Sequence, residues 1–127
     1  MDLDRFKDVN DNFGHKTGDQ VLQTICKRCA QALRKMDIMG RYGGEEFVVI
    51  LPETSTENAF VSADRLRKTI EDLEILALKG SIHVTASLGL AALDEQCTTL
   101  ENLMECADKA LYDVKQAGRN QVMVYKH

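Results

Sequence analysis

Apolar residues recur at helical spacing in four segments of the chain. The first covers residues 5 to 13 and ends at Gly14, and the second begins at Gly18 and closes by Asp37. The third and fourth each follow a Ser/Thr-rich segment with a Glu in the position of a capping box. The boxes are Thr54-Ser55-Thr56-Glu57 and Thr98-Thr99-Leu100-Glu101, and the helices they open run to Leu73 and Gly118.

Segments rich in β-forming residues lie between these helices. Residues 1 to 4 resemble the end of a strand, and residues 38–42 and 45–51 flank a diglycine, which predicts a tight hairpin with positive φ at its centre. Residues 83–90 and 121–125 are two further predicted strands, and residues 79–81 are predicted as a loop. The order β, α, α, β, β, α, β, α, β predicts an α+β fold with a mainly antiparallel central sheet flanked by helices.

Composition narrows the class of protein. With 127 residues, 44% apolar content, one Pro and no low-complexity segment, the chain is predicted to be a single domain over residues 1–127. The longest apolar run has five residues, residues 47–51, and the first residues lack a signal peptide pattern, so we expect a cytoplasmic domain without membrane contact. The net charge of −4 argues against a nucleic-acid surface but not against one bound nucleotide.

Cysteines offer one competing interpretation. Cys26 and Cys29 have the spacing of half a zinc site, which Cys97 and Cys106 could nominally complete. Cys26 and Cys29 also fall on the apolar face of the second helix, where free Cys behaves as a small buried hydrophobe. We therefore expect four reduced, structural thiols.

Carboxylates cluster at two predicted turns. Asp2 and Asp4 end the first strand, and Glu45-Glu46 follow the diglycine. If the two segments are neighbours, Asp2 and Glu45 would converge on one point, which suits magnesium with substrate phosphates and water as its other ligands. On residue types alone, solvated acids at a hairpin tip are the favoured interpretation.

Several motifs in fixed order resemble the GGDEF family, the diguanylate cyclases. They are Asp2 to His15, Gly18-Asp19, Arg41-Tyr42, Gly43-Gly44-Glu45-Glu46-Phe47 and Lys115 to Asn120. The resemblance implies a nucleotidyl cyclase-like fold with a ferredoxin-like palm. Because the family's domain normally starts upstream, it also implies that the N-terminal helix and most of the first strand are missing here. In the parent protein, which can be membrane-anchored, we expect an upstream sensory domain.

The resemblance also implies roles for individual residues. Each active half-site would hold two magnesium ions, or manganese, through Asp2, the Leu3 carbonyl and Glu45, with Glu46 as a further catalytic carboxylate. The implied substrate-binding residues are Asn10 and Asp19 for guanine, Lys115 and Arg119 for the triphosphate, and Phe6 and Lys7 for the loop that wraps it. Carboxylate and amide groups can match the donor pattern of guanine, which adenine lacks.

The implied reaction joins two GTP into cyclic di-GMP with release of two pyrophosphates, in a head-to-tail homodimer. Arg34 and Asp37 match an RxxD product-inhibition site, which Arg65 would complete, although an isolated RxxD is often only a surface ion pair. The alternative function is a non-catalytic module that binds GTP or cyclic di-GMP and regulates a partner.

Overall fold

A computed structural model of the chain describes residues 1–126. Its helices and strands alternate in the order that the sequence predicts, with one additional hairpin. The elements are β1 Asp2–Leu3, α1 Phe6–Phe13, α2 His15–Ala32, β2 Ile38–Gly43, β3 Glu46–Ile50, α3 Thr56–Glu71, β4 Ile75–Ala77, β5 Gly80–Ile82, β6 Ala86–Leu90, α4 Leu100–Gln116 and β7 Val122–Val124.

The central sheet has five strands in the order β2-β3-β1-β6-β7. Only β6 and β7 are parallel, so the predicted α+β fold with a mainly antiparallel sheet is confirmed. The two-residue strand β1 is the middle strand, where Asp2 pairs with Glu46 on one side and with Ser87 on the other. The sheet therefore places the predicted metal-binding residues at its centre.

Helices cover both faces of this sheet. Leu88 belongs to the main core together with Val21, Ile25 and Leu66 of α2 and α3. Its neighbour Gly89 faces α4 so closely that an added Cβ would lie 2.1 Å from the Ala107 carbonyl oxygen. Because successive residues of a strand point to opposite faces, α2 and α3 lie on one side and α4 on the other. Within residues 1–126, no helix is long and apolar enough to cross a membrane.

Helix boundaries differ from the prediction in informative ways. Gly14 ends α1 as predicted, but with φ of 89° it also serves as N-cap of α2, which therefore begins at His15 rather than Gly18. The N-caps of α3 and α4 are Ser55 and Thr99, whose side chains accept from the backbone N–H of the residue three positions on. Each lies one residue after the Thr that the capping-box pattern selected.

The strand prediction missed one hairpin and overextended two strands. Residues 75–82 form the β4–β5 pair, where only a loop around residues 79–81 was predicted, because Ile75 and Ile82 pair across it and are both buried. The strand predicted over residues 83–90 begins at Ala86, and the strand predicted over 121–125 is limited to Val122–Val124. At the diglycine only Gly44 has positive φ, 44°, since Gly43 still belongs to β2.

Candidate functional site

Three predicted ligands meet where β1 lies beside the β2–β3 hairpin. The Leu3 N–H donates to the Glu45 carbonyl oxygen over 3.2 Å, and Asp2 and Glu46 are paired across the strands. Asp2 is buried, Glu45 is half-buried and Glu46 is exposed. The antiparallel register thus brings together the two acidic segments that stand more than 40 residues apart in the sequence.

Asp2 has an unusual carboxylate. Its Oδ2 lies 2.5 Å from Lys115 Nζ, whereas its Oδ1 is buried and has no hydrogen-bond partner among residues 1–126. A buried carboxylate oxygen without a partner is costly, and a cation is one of the few groups that would satisfy it. The donor set also suits magnesium, which prefers one or two carboxylates and takes its other ligands from phosphates and water. Residues 1–126 contain no cluster of three His, Cys, Asp or Glu side chains that could hold a metal by themselves.

The Asn10 side chain packs against Gly18 of α2, the helix that carries Asp19. A Cβ added to Gly18 would lie 1.9 Å from Asn10 Oδ1 and 3.3 Å from Phe6 Cζ, so the missing side chain leaves the space that the Asn10 amide occupies. Asp19 follows directly, is exposed, and lines an open groove of about 590 Å³ between α2 and β2. The two residues predicted to bind guanine are therefore held on adjoining helices.

The predicted triphosphate residues occupy different environments. Phe6 is buried in the core, whereas Lys7 beside it on α1 is exposed. Lys115 lies in the last turn of α4 and contacts Asp2, and Arg119 is exposed in the turn that follows. Three of these residues thus present cations at the surface or beside Asp2, whereas Phe6 packs α1 against the core.

Sequence reasoning missed a buried polar network beside this site. Asp4, two residues after Asp2, accepts hydrogen bonds from Thr85, Ser87 and the Asn120 backbone. Glu71 accepts from Arg67 and from the Asn120 amide. Only the clustering of hydroxyl residues at 85 and 87 on a predicted strand hints at such partners in the sequence.

The RxxD residues bind each other. Arg34 donates to Asp37 through Nε and Nη2, at 2.9 Å for the shortest contact, and Nη2 also reaches the Pro52 carbonyl and Thr54 Oγ1. These hydrogen bonds lower the pKa of Asp37 and raise that of Arg34. Arg65 is exposed on α3, and within the described chain no hydrogen bond or ion pair joins it to Arg34 or Asp37.

The cysteines are separated into two pairs. Cys29 is fully buried in the core, and burial raises the pKa of its thiol to about 12. Cys97 and Cys106 lie together, 2.7 Å between their sulfur atoms, on the α4 side of the chain, and this contact with burial raises the pKa of Cys97 to about 11. The structure therefore does not assemble the four-cysteine zinc site considered from the spacing.

Comparison with known proteins identifies a family for this arrangement. The family model described as "Diguanylate cyclase, GGDEF domain" matches residues 1–121. Diguanylate cyclase A of Treponema denticola is 41% identical over 127 residues, which are 100% of this chain and 34% of that protein. The chain spans between 28% and 34% of the length of this relative and of the two that follow it.

Solved structures share the fold closely. The active GGEEF domain of a diguanylate cyclase from Vibrio cholerae has a TM-score of 0.91 and 32% identity, covering 99% of this chain and 80% of that one. The GGDEF domain of DgcB from Caulobacter crescentus, solved in complex with c-di-GMP, has a TM-score of 0.92 and 30% identity, covering 99% of this chain and 75% of that one.

Proposed function

The chain belongs to the GGDEF family of diguanylate cyclase domains, and from this premise we propose that it condenses two GTP molecules into cyclic di-GMP. In that reaction the 3′-hydroxyl of each GTP attacks the α-phosphate of the other, and two pyrophosphates leave. The residues that the resemblance assigns to this chemistry are all present, including the Gly43-Gly44-Glu45-Glu46-Phe47 signature.

The observation that carries the proposal is the carboxylate of Asp2. It is buried at the centre of the sheet, one oxygen has no partner in the described part of the chain, and the other contacts Lys115. A buried acid of this kind destabilises a fold unless it serves a ligand, so its position beside Glu45 favours metal-assisted nucleotide chemistry over a solvated hairpin tip. The related Vibrio cholerae domain is described as active and carries the same GGEEF variant of the signature.

Asp2, the Leu3 carbonyl and Glu45 are the groups that would hold magnesium. When bound, magnesium or manganese would neutralise phosphate charge and make the attacking hydroxyl more acidic. The chain's own contribution is electrostatic and positional. Lys115 and Arg119 bind the triphosphate and stabilise the charge that builds on the departing pyrophosphate. The exposed Glu46 accepts the proton of the attacking hydroxyl.

Substrate choice follows from α1 and α2. The Asp19 carboxylate accepts from guanine N1–H and the 2-amino group, and the Asn10 amide supplies the complementary contacts. Adenine presents no such pair of donors and is discriminated against, because the carboxylate would be left without its hydrogen bonds.

A homodimer completes the active site in this proposal. One domain holds one GTP, so two domains must face each other, head to tail, for each hydroxyl to reach the partner's α-phosphate.

Product inhibition is a second part of the proposal. The Arg34 guanidinium is suited to both the guanine edge and the phosphate of cyclic di-GMP once it releases Asp37, and Arg65 would add a second cation. The solved DgcB domain is described as a complex with c-di-GMP.

The test is product formation from GTP. The chain, at high concentration with magnesium, is incubated with GTP or ATP, and cyclic dinucleotides are separated by chromatography and identified by mass. We expect cyclic di-GMP from GTP alone, at a rate that rises with the square of the protein concentration where dimers are scarce. Asp2→Asn and Glu45→Ala should abolish turnover, whereas Glu95→Gln, an exposed acid outside the site, should not. If the wild-type chain binds cyclic di-GMP but forms none, the alternative of a regulatory receptor replaces the enzyme.

A further inference from the structure

Asp4 differs from Asp2 although the sequence presents them as a pair of equivalent acids. Asp4 is 8% exposed, and both of its oxygens are engaged. Oδ1 accepts from Ser87 Oγ over 2.6 Å, and Oδ2 accepts from Thr85 Oγ1 over 2.7 Å and from the Asn120 backbone N–H over 3.1 Å. With its hydrogen bonds made inside the protein, this carboxylate is not available to a metal in the way that Asp2 is.

The turn that Asp4 holds has a strained backbone. After Gly118, whose φ is 109°, Arg119 and Asn120 have φ of 67° and 49°, a left-handed conformation that Asn adopts readily but that is costly for Arg. A left-handed Arg persists only when its surroundings fix it. Arg119 is the first of the pair and is a proposed triphosphate ligand, so the strain lies at a functional position.

The other side of the turn is anchored as well. The Asn120 side chain donates to Glu71 Oε2 and accepts from Arg67 Nη1 over 3.1 Å. Arg67 is fixed in turn by Asp64 Oδ1 over 2.7 Å, which raises the pKa of its guanidinium. Asn120 is therefore held by its amide group from α3 and by its backbone N–H from Asp4 and Ser87. These contacts connect the end of β1 with the segment that follows α4.

We propose that Asp4 is a positioning residue that fixes the Arg119–Asn120 turn against the end of β1, so that Arg119 and Asp2 address the same nucleotide. Asp4 acts through the Asn120 N–H and not by contact with metal or substrate. Because Asp2 and Asp4 lie on one strand end, the hydrogen bond from the Asn120 N–H to Asp4, here called the clamp, sets the distance between the metal site and Arg119. The effect on GTP binding rests on the proposed function, whereas the fixing of the turn by Asp4 does not.

The first measurement tests the clamp without nucleotide. Amide hydrogen exchange of Asn120, followed by NMR in the folded protein, should become at least about tenfold faster in Asp4→Ala, because the amide loses a charged acceptor. Asp4→Asn should give an intermediate rate, since its amide oxygen still accepts while the charge is lost. Asp72→Ala removes an exposed acid at the end of α3 and is the charge-matched control, with exchange as in the wild type. Unchanged Asn120 exchange in Asp4→Ala, or in Asp4→Asn if the alanine variant does not fold, overturns the proposal.

The second measurement tests the consequence for GTP. Calorimetric titration with a non-hydrolysable GTP analogue should show affinity reduced by roughly 10- to 100-fold in Asp4→Ala, with an intermediate loss in Asp4→Asn. In an Arg119→Ala background the same change at Asp4 should add little, because both act through one contact. An equal loss of affinity in both backgrounds would indicate general destabilisation. If Asp4→Ala changed the magnesium concentration needed for half-maximal binding of the analogue, Asp4 would be a metal ligand. Either result contradicts the proposal, whereas a wild-type protein that binds no GTP counts against the proposed function and leaves the exchange experiment standing.

Discussion

Replacing Gly18 by Ala should separate guanine recognition from stability. The added Cβ would lie 1.9 Å from Asn10 Oδ1, the end of a flexible side chain, and 3.3 Å from the edge of Phe6. Normal contact requires about 3.5 Å, so the Asn10 amide must move by roughly 1.5 Å while the helix backbone stays in place. The phenylalanine ring needs to yield by only a few tenths of an ångström.

Two opposing contributions determine the stability of the Gly18→Ala variant. Ala is favoured over Gly in a helix by up to about 1 kcal/mol, and an off-rotamer Asn10 costs about 0.5–1.5 kcal/mol, so the free energy of unfolding should change by no more than about 1 kcal/mol. The displaced amide, however, loses its hydrogen bonds to guanine. At about 0.5–1.5 kcal/mol for each of two bonds, GTP affinity should fall by roughly 5- to 100-fold.

Fluorescence titration with a labelled GTP analogue and thermal unfolding on the same samples measure both quantities. Gly40→Ala is the matched control, because no heavy atom lies within 4 Å of its added Cβ and its φ is not positive. In an Asn10→Ala background the Gly18 substitution should cost no further affinity. Wild-type GTP affinity in Gly18→Ala, with the fold intact, would refute the assignment of Asn10 to the base.

Three other predictions concern separate parts of the molecule. Gly89→Ala should destabilise the protein by about 3 kcal/mol, and lower the melting temperature by roughly 10 °C, since its Cβ would meet the α4 backbone at Ala107 O and Leu111 N, 2.1 and 2.4 Å away; an unchanged melting curve would contradict the close packing. Arg34→Ala should relieve inhibition by added cyclic di-GMP while sparing initial turnover, and in an NMR titration the pKa of Asp37 should rise toward its ordinary value, because the Arg34 side chain that lowers it is gone. The sign for stability follows: the ion pair contributes above the unfolded pKa of Asp37 and is lost as the pH falls through the lowered folded pKa, so the variant should show less of this acid dependence. Finally, iodoacetamide at pH 8 should alkylate the half-buried Cys26 before Cys29 and Cys97, whose thiol pKa values are raised to about 12 and about 11, and denaturant should abolish the order.

Local sequence patterns predicted most of the fold because a helix or strand with one buried face has apolar residues at a characteristic spacing. The helices, the β2–β3 hairpin and the mainly antiparallel sheet all follow from apolar periodicity and Gly or Pro punctuation. The β4–β5 hairpin was missed because each strand has only three residues, too few for alternation to show. The N-cap residues were misplaced by one position since consecutive Thr and Ser residues can all cap.

For the candidate site, the sequence predicted the residues but not all of their partners. The motifs supplied the candidate site residues, and the pairing of Asp2 with Glu46 shows how their segments become neighbours. Residue types alone could not distinguish Asp2 from Asp4, because the difference between them lies in hydroxyl partners more than 80 residues away. Nor could it show that Glu71 is bound by Arg67 and Asn120, since acidic residues near a helix end usually face solvent.

The placement of β1 also matters for how the chain folds. A strand of two residues at the start of the chain is the middle of the sheet, and its partners are Glu46 and the segment Ala86-Ser87. These contacts close loops of more than 40 and more than 80 residues, so their entropic cost is high and local pairs such as β2–β3 are expected to form earlier. The acids of the candidate site therefore come together only when these long-range contacts are made. Binding of a metal–nucleotide complex would then report complete folding of the domain, and such a ligand would stabilise the step that topology makes slowest.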